Sequence, residues 1–319
     1  MMDDLETLEG VGSTTASKLR NAGFTTIEAV AVTPIKEISE KAGIGYNTAL
    51  NIGAAARKLV SVDFVTAKEI WEKRQVKLRC STGSKNLNSV LAGGIETQAV
   101  TELIGEYGAG KTQICLTLAV KVQQPQEKGG LNGNVAFVDT EGTFSSERVY
   151  QIASSLGLLP EETLDNIYVA RAYNSDHQCL LIDALFKVCP EQNVKLVIVD
   201  SMISHFRGEY VGRETLSERQ QKLNYYLHKL VRLSEAFNVA VVLTNQVQAN
   251  PAQYFGDPNR PAGGHVMAHA CTHRIYIRKG KSNTRLARVI DSPCLPELSA
   301  RFRISERGIE DPEEGTASS

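Results

Sequence analysis

The 319-residue sequence has almost no surplus of either charge: 35 Lys and Arg stand against 36 Asp and Glu, for a formal net charge of −1. Bulk charge therefore excludes a polycationic nucleic-acid binder, and contact with phosphate backbones must come from local patches. Among the six cysteines (Cys80, Cys115, Cys179, Cys189, Cys271 and Cys294) there is no C-x-x-C pair. The dithiol-redox and zinc-ribbon patterns are missing, and the cysteines read as reduced thiols of an intracellular protein. No apolar run is long enough to cross a bilayer, and the acidic N-terminus lacks a signal-peptide pattern. The expectation is a cytoplasmic protein with no membrane partner. What the chain does have is 42% apolar residues, enough for a core in each of about two domains without disulfides or structural metals.

Residues 1–60 read as short helices around glycine turns. "LEGVGSTTASKLRNAGF" (8–24) and "ISEKAGIGYNTALNIGAAARKLV" (38–60) each place a Gly-apolar-Gly turn between two helical patterns, like one duplicated unit. Residues 61–78 are charged, hold the single tryptophan, Trp71, and read as a linker. From residue 79 to 311 apolar strand patterns alternate with helices: 99–104, 134–139, 166–172, 194–200 and 239–245. This alternation predicts an α/β fold with a mainly parallel sheet covered on both faces. Ser175 with Gln178 fits a capping box opening the next helix. After residue 272, period-two alternation around a turn predicts an antiparallel hairpin on a sheet edge. Residues 312–319 form an acidic tail.

"GEYGAGKT" (105–112) matches G-x-x-x-x-G-K-[ST], after a predicted strand and before a predicted helix. Glycines let backbone N–H groups wrap phosphates, and the helix N-terminus adds positive potential. Lys111 is suited to the β- and γ-phosphates of ATP and the Thr112 hydroxyl to Mg2+. Asp200, ending "VKLVIVD", reads either as a magnesium carboxylate or as a strand-end cap. Glu141 follows the strand "NVAFVDT" and suits activation of the attacking water. Asp139 competes for that role, or serves the magnesium shell or the turn. Gln246, after "VVLTN", reads as a γ-phosphate sensor only weakly from the residues alone.

"GGHVMAHACTHR" gathers His265, His269, Cys271 and His273. Its glycines and alanines predict a mobile loop near phosphate or DNA, with a zinc site as the competing reading. Arg207, Arg213 and Arg219 recur at intervals of six around "GEYVG". They read as sequence-independent phosphate contacts or as solvated charge. The long Pro- and Gly-rich segment 247–264 is either functional or disordered. The turns at Gly10–Gly12 and Gly43–Gly45 suit phosphate binding, with Lys18 and Arg57 adding charge, or simple packing. Phe64, Ala67 and Trp71 fit an amphipathic stripe.

In order and spacing, "TGSKNLNSVLAGGIETQAVTELIGEYGAGKTQ", "FVDTEGTF", "ARAYNSDHQ", "SHFRGEYVGRETLSERQQKL", "TNQV", "GGHVMAHACTHRIYIRKGK" and "DSPCLP" resemble the archaeal RadA recombinases of the RecA superfamily, from near residue 5 to near residue 311. The resemblance implies a RecA-like P-loop ATPase core with a small all-α helix-hairpin-helix N-terminal domain. It implies an ATP-dependent recombinase that forms helical filaments on single-stranded DNA and exchanges strands with a duplex in recombinational repair, at the nucleoid. By motif, the ATP site takes Gly105, Glu106, Tyr107, Gly108, Ala109, Gly110, Lys111, Thr112 and Gln113, with Arg148 against adenine. Glu141 matches the catalytic base, Asp200 the second magnesium motif and Gln246 the sensor. From a neighbouring protomer, His269 would reach the γ-phosphate and Asp291 to Pro293 would cap the nucleotide, with potassium near Asp291. Arg207, Arg213 and Arg219 match a first DNA loop, and the segment ending at Gly263 and Gly264 a second. Phe64 and Ala67 match the Phe-x-x-Ala assembly motif, and mediators are implied partners.

The sequence departs from that pattern at Ala109 for serine, Ser145–Ser146 for Arg-Pro, Ala268 for glycine, and "DPNRP" in the second loop. Two alternatives stay open here: a RadA-like paralogue or mediator that binds ATP and DNA without strand exchange, and a ring-forming motor.

Overall fold

The computed structural model describes residues 5–60, 64, 66–74, 77–212, 214–249, 259–281 and 283–313. It divides into two compact units: Met1–Lys77 with Ile182–Glu191, and Leu78–Leu181 with Gln192–Ser319.

In the first unit a 3-10 turn (Leu5–Thr7) precedes α1 (Ser13–Asn21), α2 (Ile27–Val32), α3 (Ile35–Ala42) and α4 (Tyr46–Leu59). Leu5, Leu19, Val30, Ile38 and Ile52 meet in its buried core, where each large apolar side chain contributes about 1.5–3 kcal/mol. Gly12 and Gly45 are the N-caps of α1 and α4, so both glycine turns open a helix, as their spacing predicts. The first turn is entered from a single 3-10 turn rather than a full helix. Helix α5 (Ala67–Arg74) follows. Thr66 and Glu69 cap it: the Glu69 N–H donates to Thr66 Oγ1 (3.2 Å), whose hydroxyl donates to Glu69 Oε1 (2.9 Å).

The second unit runs β1 (Arg79–Cys80), α6 (Lys85–Val90), β2 (Ile95–Glu96), β3 (Ala99–Gly105), α7 (Lys111–Lys121), β4 (Asn134–Asp139), α8 (Ser146–Ser155), α9 (Pro160–Asp165), β5 (Ile167–Arg171) and the start of α10 (Ser175–Glu191), whose residues from Ile182 on fall in the first unit. It continues with β6 (Val194–Asp200), α11 (Ser204–Glu209), α12 (Leu216–Phe237), β7 (Ala240–Ala249), β8 (Asn259–Pro261), α13 (Gly264–Ala270), β9 (His273–Lys279), β10 (Thr284–Asp291), β11 (Ser299–Ser305) and β12 (Gly308–Glu310). The main sheet has the order β12-β11-β10-β9-β3-β7-β6-β4-β5. Strands β5, β4, β6, β7, β3 and β9 pair in parallel, and β9 to β12 pair antiparallel. The five apolar runs are thus parallel strands. The β9–β10 hairpin forms, but it joins β3 and is extended by β11 and β12 instead of ending the sheet. Every residue of β3 is buried, and α7 is buried continuously from Ile114 to Val120, as a doubly covered sheet requires.

Two local expectations are corrected. Asn174, not Ser175, caps α10: Asn174 Oδ1 accepts from the His177 N–H (2.7 Å). The Ser175 N–H and hydroxyl are both taken by the Glu209 carboxylate, and Gln178 donates to the Met202 carbonyl (3.0 Å). The "GGHVMAHACTHR" stretch is not a loop, because Gly263 at φ +85° starts α13 and Met267 and Ala270 are buried. No described helix is long and apolar enough to cross a membrane, and all six cysteines are free thiols.

Candidate functional site

Parallel strands β3, β4 and β6 end together, beside β7. Register pairs Gly105 with Gln246 and Asp139 with Asp200, so distant residues reach one cleft at the carboxyl edge of the sheet. The cleft holds about 360 Å³ and is lined by the phosphate loop, Glu141, Asp200, Thr244 and Gln246, a volume fit for a small ligand. The loop needs its glycines. Gly110 sits at φ +106° as the N-cap of α7, and a Cβ there would lie 2.9 Å from Ile304 Cδ1. Ala109 is fully buried, so the residue in the serine position packs inward and leaves the backbone donors in place.

Lys111 Nζ donates to the carbonyls of Gly105 (2.8 Å) and Glu106 (2.9 Å). Burial lowers its pKa, and the nearby Asp200 and Glu141 carboxylates partly oppose this. Asp200 is 3% exposed. Its Oδ2 accepts from Thr112 Oγ1 (2.6 Å) and its Oδ1 from Thr244 Oγ1. Burial pushes its pKa above the usual carboxylate value, against the two hydroxyls. Glu141 Oε1 accepts from Ser201 Oγ (3.0 Å) and from Gln246 Nε2 (3.0 Å). Asp139 serves the turn: its Oδ1 accepts from the N–H groups of Glu141 (3.1 Å), Gly142 (2.7 Å) and Thr143 (3.2 Å). That bonding fixes the approach of Glu141 to the cleft.

Arg285 and Ile304, from the antiparallel extension, form a further wall of the cleft. Arg285 Nε is buried without an acceptor among the described residues. Lys111, Arg285 and the α7 N-terminus thus present donors that want anionic oxygens, which fits a polyphosphate. Thr112 and Asp200 present paired oxygens suited to a hard divalent cation. Arg148 lies beside the cleft. Its Nε donates to Gln113 Oε1 (2.8 Å), and its other nitrogens donate to Gln151 and to the carbonyls of Ser305 and Glu306. Ser145, in the departed Arg-Pro position, caps α8 by accepting from the Arg148 N–H (3.1 Å).

The remaining predicted residues lie elsewhere. Arg207 on α11 lines a second groove with Ser204 and Gly208, and Gln246 lines that groove as well as the cleft. The Gln248 amide oxygen, oriented to satisfy both groups, accepts from Arg207 Nη2 (2.9 Å). Arg219 is on the first turns of α12, with Nε buried and without an acceptor among the described residues. Arg213 and residues 250–258 lie outside the described residues. The carbonyl of Gly263 accepts from Gln220 (3.3 Å), and Gly264 opens α13. His269, Asp291 and Pro293 are exposed and do not line the cleft of their own chain. Phe64 is fully exposed, and Trp71 is 62% exposed on the helix that Ala67 begins. The zinc reading fails: no group of three or more metal-binding side chains occurs among the described residues. His265 and His269 stack on each other 6.0 Å apart, while His273 bonds Ser292 (3.0 Å).

Sequence reasoning missed Thr244, Ser201, Arg285 and Ile304. Thr244 carried a signal, as a polar residue two before Gln246 on the same strand face. Ser201 carried one too, as the residue directly after Asp200, whereas Arg285 and Ile304 reach the cleft only through tertiary topology.

A phosphate loop between strand and helix, a strand-end carboxylate on its threonine, and a second carboxylate held by a glutamine of β7 define a P-loop ATPase core of the RecA type. The comparisons are more specific. Residues 73–312 match the Rad51 family model, and residues 2–58 match a SAM-like helix-hairpin-helix tandem. The chain is 51% identical over 310 residues to "DNA repair and recombination protein RadA" of Aeropyrum pernix, covering 97% of each. The chain belongs to the Rad51 family.

Proposed function

We propose that the protein is an ATP-dependent DNA recombinase that assembles on single-stranded DNA and pairs it with a homologous duplex. The observation that carries this is the Glu141–Gln246 hydrogen bond of 3.0 Å. It joins a carboxylate placed for water activation to a residue shared with the Arg207 groove. ATP and DNA would therefore be read by adjoining groups. When bound, magnesium ATP supplies the phosphoanhydride and the charge that organises the cleft. Lys111 would hold its phosphate oxygens. Thr112 and Asp200, bonded to each other here, would hold the cation. Glu141 accepts the proton of the attacking water, and Gln246 orients that water and senses the γ-phosphate.

Single-stranded DNA is contacted by Arg207, Arg213, Arg219 and the segment ending at Gly263–Gly264, through phosphates rather than base edges. Exposed Phe64 and Ala67 dock on a neighbouring copy, whose nucleotide receives His269 and Asp291 to Pro293 from this chain. A potassium ion near Asp291 belongs to the same reading and is tested by comparing turnover in potassium and in sodium. Mediators are further partners of the assembly, and the nucleoid is its expected place. The test is electron microscopy with ATP and single-stranded DNA, alongside ATP hydrolysis with and without DNA. Helical filaments and DNA-stimulated turnover are expected. Closed rings on DNA point to a motor instead, and ATP and DNA binding without assembly points to a mediator.

A further inference from the structure

Strand β5 ends on an arginine that lies outside the cleft yet bears on it. Register sets Arg171 opposite Asp139, the last residue of β4. Arg171 Nη1 donates to Asp139 Oδ2 (3.4 Å). The guanidinium also lies against the backbone of Gly142, where a Cβ would fall 2.2 Å from Nη1 and 2.8 Å from Cζ. Gly142 sits at φ +73°, so both its own conformation and the arginine beside it exclude a side chain. The turn from Asp139 to Phe144 hangs on one carboxylate. Asp139 Oδ1 accepts from the N–H groups of Glu141, Gly142 and Thr143, and Oδ2 from the Phe144 N–H (3.3 Å) and from Arg171. The far end of the turn is anchored in the core, where the Phe144 ring meets Phe137 edge-on at 5.1 Å.

The Arg171 side chain is 39% exposed, and an ion pair of that kind contributes little to stability. Its place beside the turn has a sharper consequence. The two bonds that hold the Glu141 carboxylate, from Ser201 and Gln246, both fall on Oε1. With Oε1 pinned, the direction of Oε2 depends on where the backbone of residue 141 stands, and that backbone is tied to Asp139.

We propose that Arg171 is a positioning residue for ATP hydrolysis. By pairing with Asp139 and packing on Gly142 it fixes the 139–144 turn, and through the turn it aims the Glu141 carboxylate at the attacking water. This rests on the reading of Glu141 as the group that activates water. A misplacement of about 1 Å, caused by a change away from the reacting atoms, can cost roughly 100-fold in rate.

The test compares full-length wild type with Arg171→Met, which keeps the stem without the guanidinium, with Arg171→Lys, which keeps the charge, and with Glu141→Gln alone and combined with Arg171→Met. Single-turnover ATP hydrolysis on single-stranded DNA, affinity for a fluorescent ATP analogue, light scattering of the assembly and the melting temperature are measured. Arg171→Met should lose at least about fivefold in rate while nucleotide affinity and assembly stay within about threefold, and Arg171→Lys should be faster than Arg171→Met. Residues that act as a unit are not additive, so on the Glu141→Gln background Arg171→Met should change the rate by less than about threefold. A smaller loss in folded Arg171→Met overturns the proposal. So does a loss that multiplies with that of Glu141→Gln, a parallel loss of nucleotide affinity or assembly, or a lysine variant no faster than the methionine one. If neither arginine variant folds, Arg171 belongs to folding and the proposal is also overturned. A wild-type rate in Glu141→Gln alone refutes the water-activation reading itself, a failure distinct from that of Arg171.

Discussion

Lys111→Met removes the ammonium and keeps the stem. Without nucleotide, the change gives up two bonds to the carbonyls of Gly105 and Glu106. It also relieves a charge that burial already disfavours, as its lowered pKa records. These effects oppose each other, so the unliganded stability should change by no more than about 1 kcal/mol. The nucleotide complex has no such compensation. One hydrogen bond to a charged acceptor is worth about 1.5–3 kcal/mol. At about 1.36 kcal/mol per tenfold, ATP affinity should fall roughly 10- to 150-fold. The assay is a thermal shift titration. ATP at about 1,000 times the wild-type Kd stabilises by about 4.1 kcal/mol, and a thirtyfold loss of affinity cuts this to about 2 kcal/mol. Unchanged ATP stabilisation in the variant would refute the placement of phosphates against Lys111. A large loss of unliganded stability would refute the claim that its charge is held there at a cost.

Glu141→Gln should slow turnover roughly 10²- to 10⁴-fold while nucleotide binding persists, because an amide oxygen can still accept from Ser201 and Gln246; single-turnover hydrolysis with a parallel binding assay checks both. The raised pKa of Asp200 has a definite sign. Its folded state holds the proton more tightly than the unfolded chain, so the buried group favours folding at low pH and disfavours it as pH rises through that value. Magnesium needs the ionised form, so affinity for magnesium ATP should begin to fall on acidification above the ordinary carboxylate range. Asp200→Asn should lack that titration, and affinity measured across pH decides it. Phe64→Ala removes a fully exposed ring, so it should leave the melting temperature unchanged and reduce self-association; light scattering with ATP and DNA reads the second effect, and persistence of large assemblies would count against the docking role.

The chemistry was legible in the sequence wherever it lay on one continuous stretch. "GEYGAGKT" follows an apolar strand and opens a helix, Asp200 ends the apolar run of β6 and Glu141 follows that of β4, whereas β7 continues past Gln246 to Ala249. What was not legible depends on competition between elements. Ser175 has the spacing of a cap, but Glu209 from another helix takes its donors. The glycines before α13 read as a loop, yet burial of Met267 holds the segment as a helix. Arg285 and Ile304 come to the phosphate loop because β10 and β11 extend the sheet past β9, which no local pattern announces. Glu102 was visible as a lone acid within the apolar run "AVTELI"; only the sheet register reveals Arg274 as its neighbour.

On the proposed function, this ATP site drives the pairing of DNA strands. The most direct measurement mixes the full-length protein with a circular single strand, a homologous linear duplex and magnesium ATP, and follows joint molecules on a gel. Joint molecules are expected with ATP, none without nucleotide, and none with a heterologous duplex. ATP hydrolysis and DNA binding without joint molecules under those conditions would contradict that function.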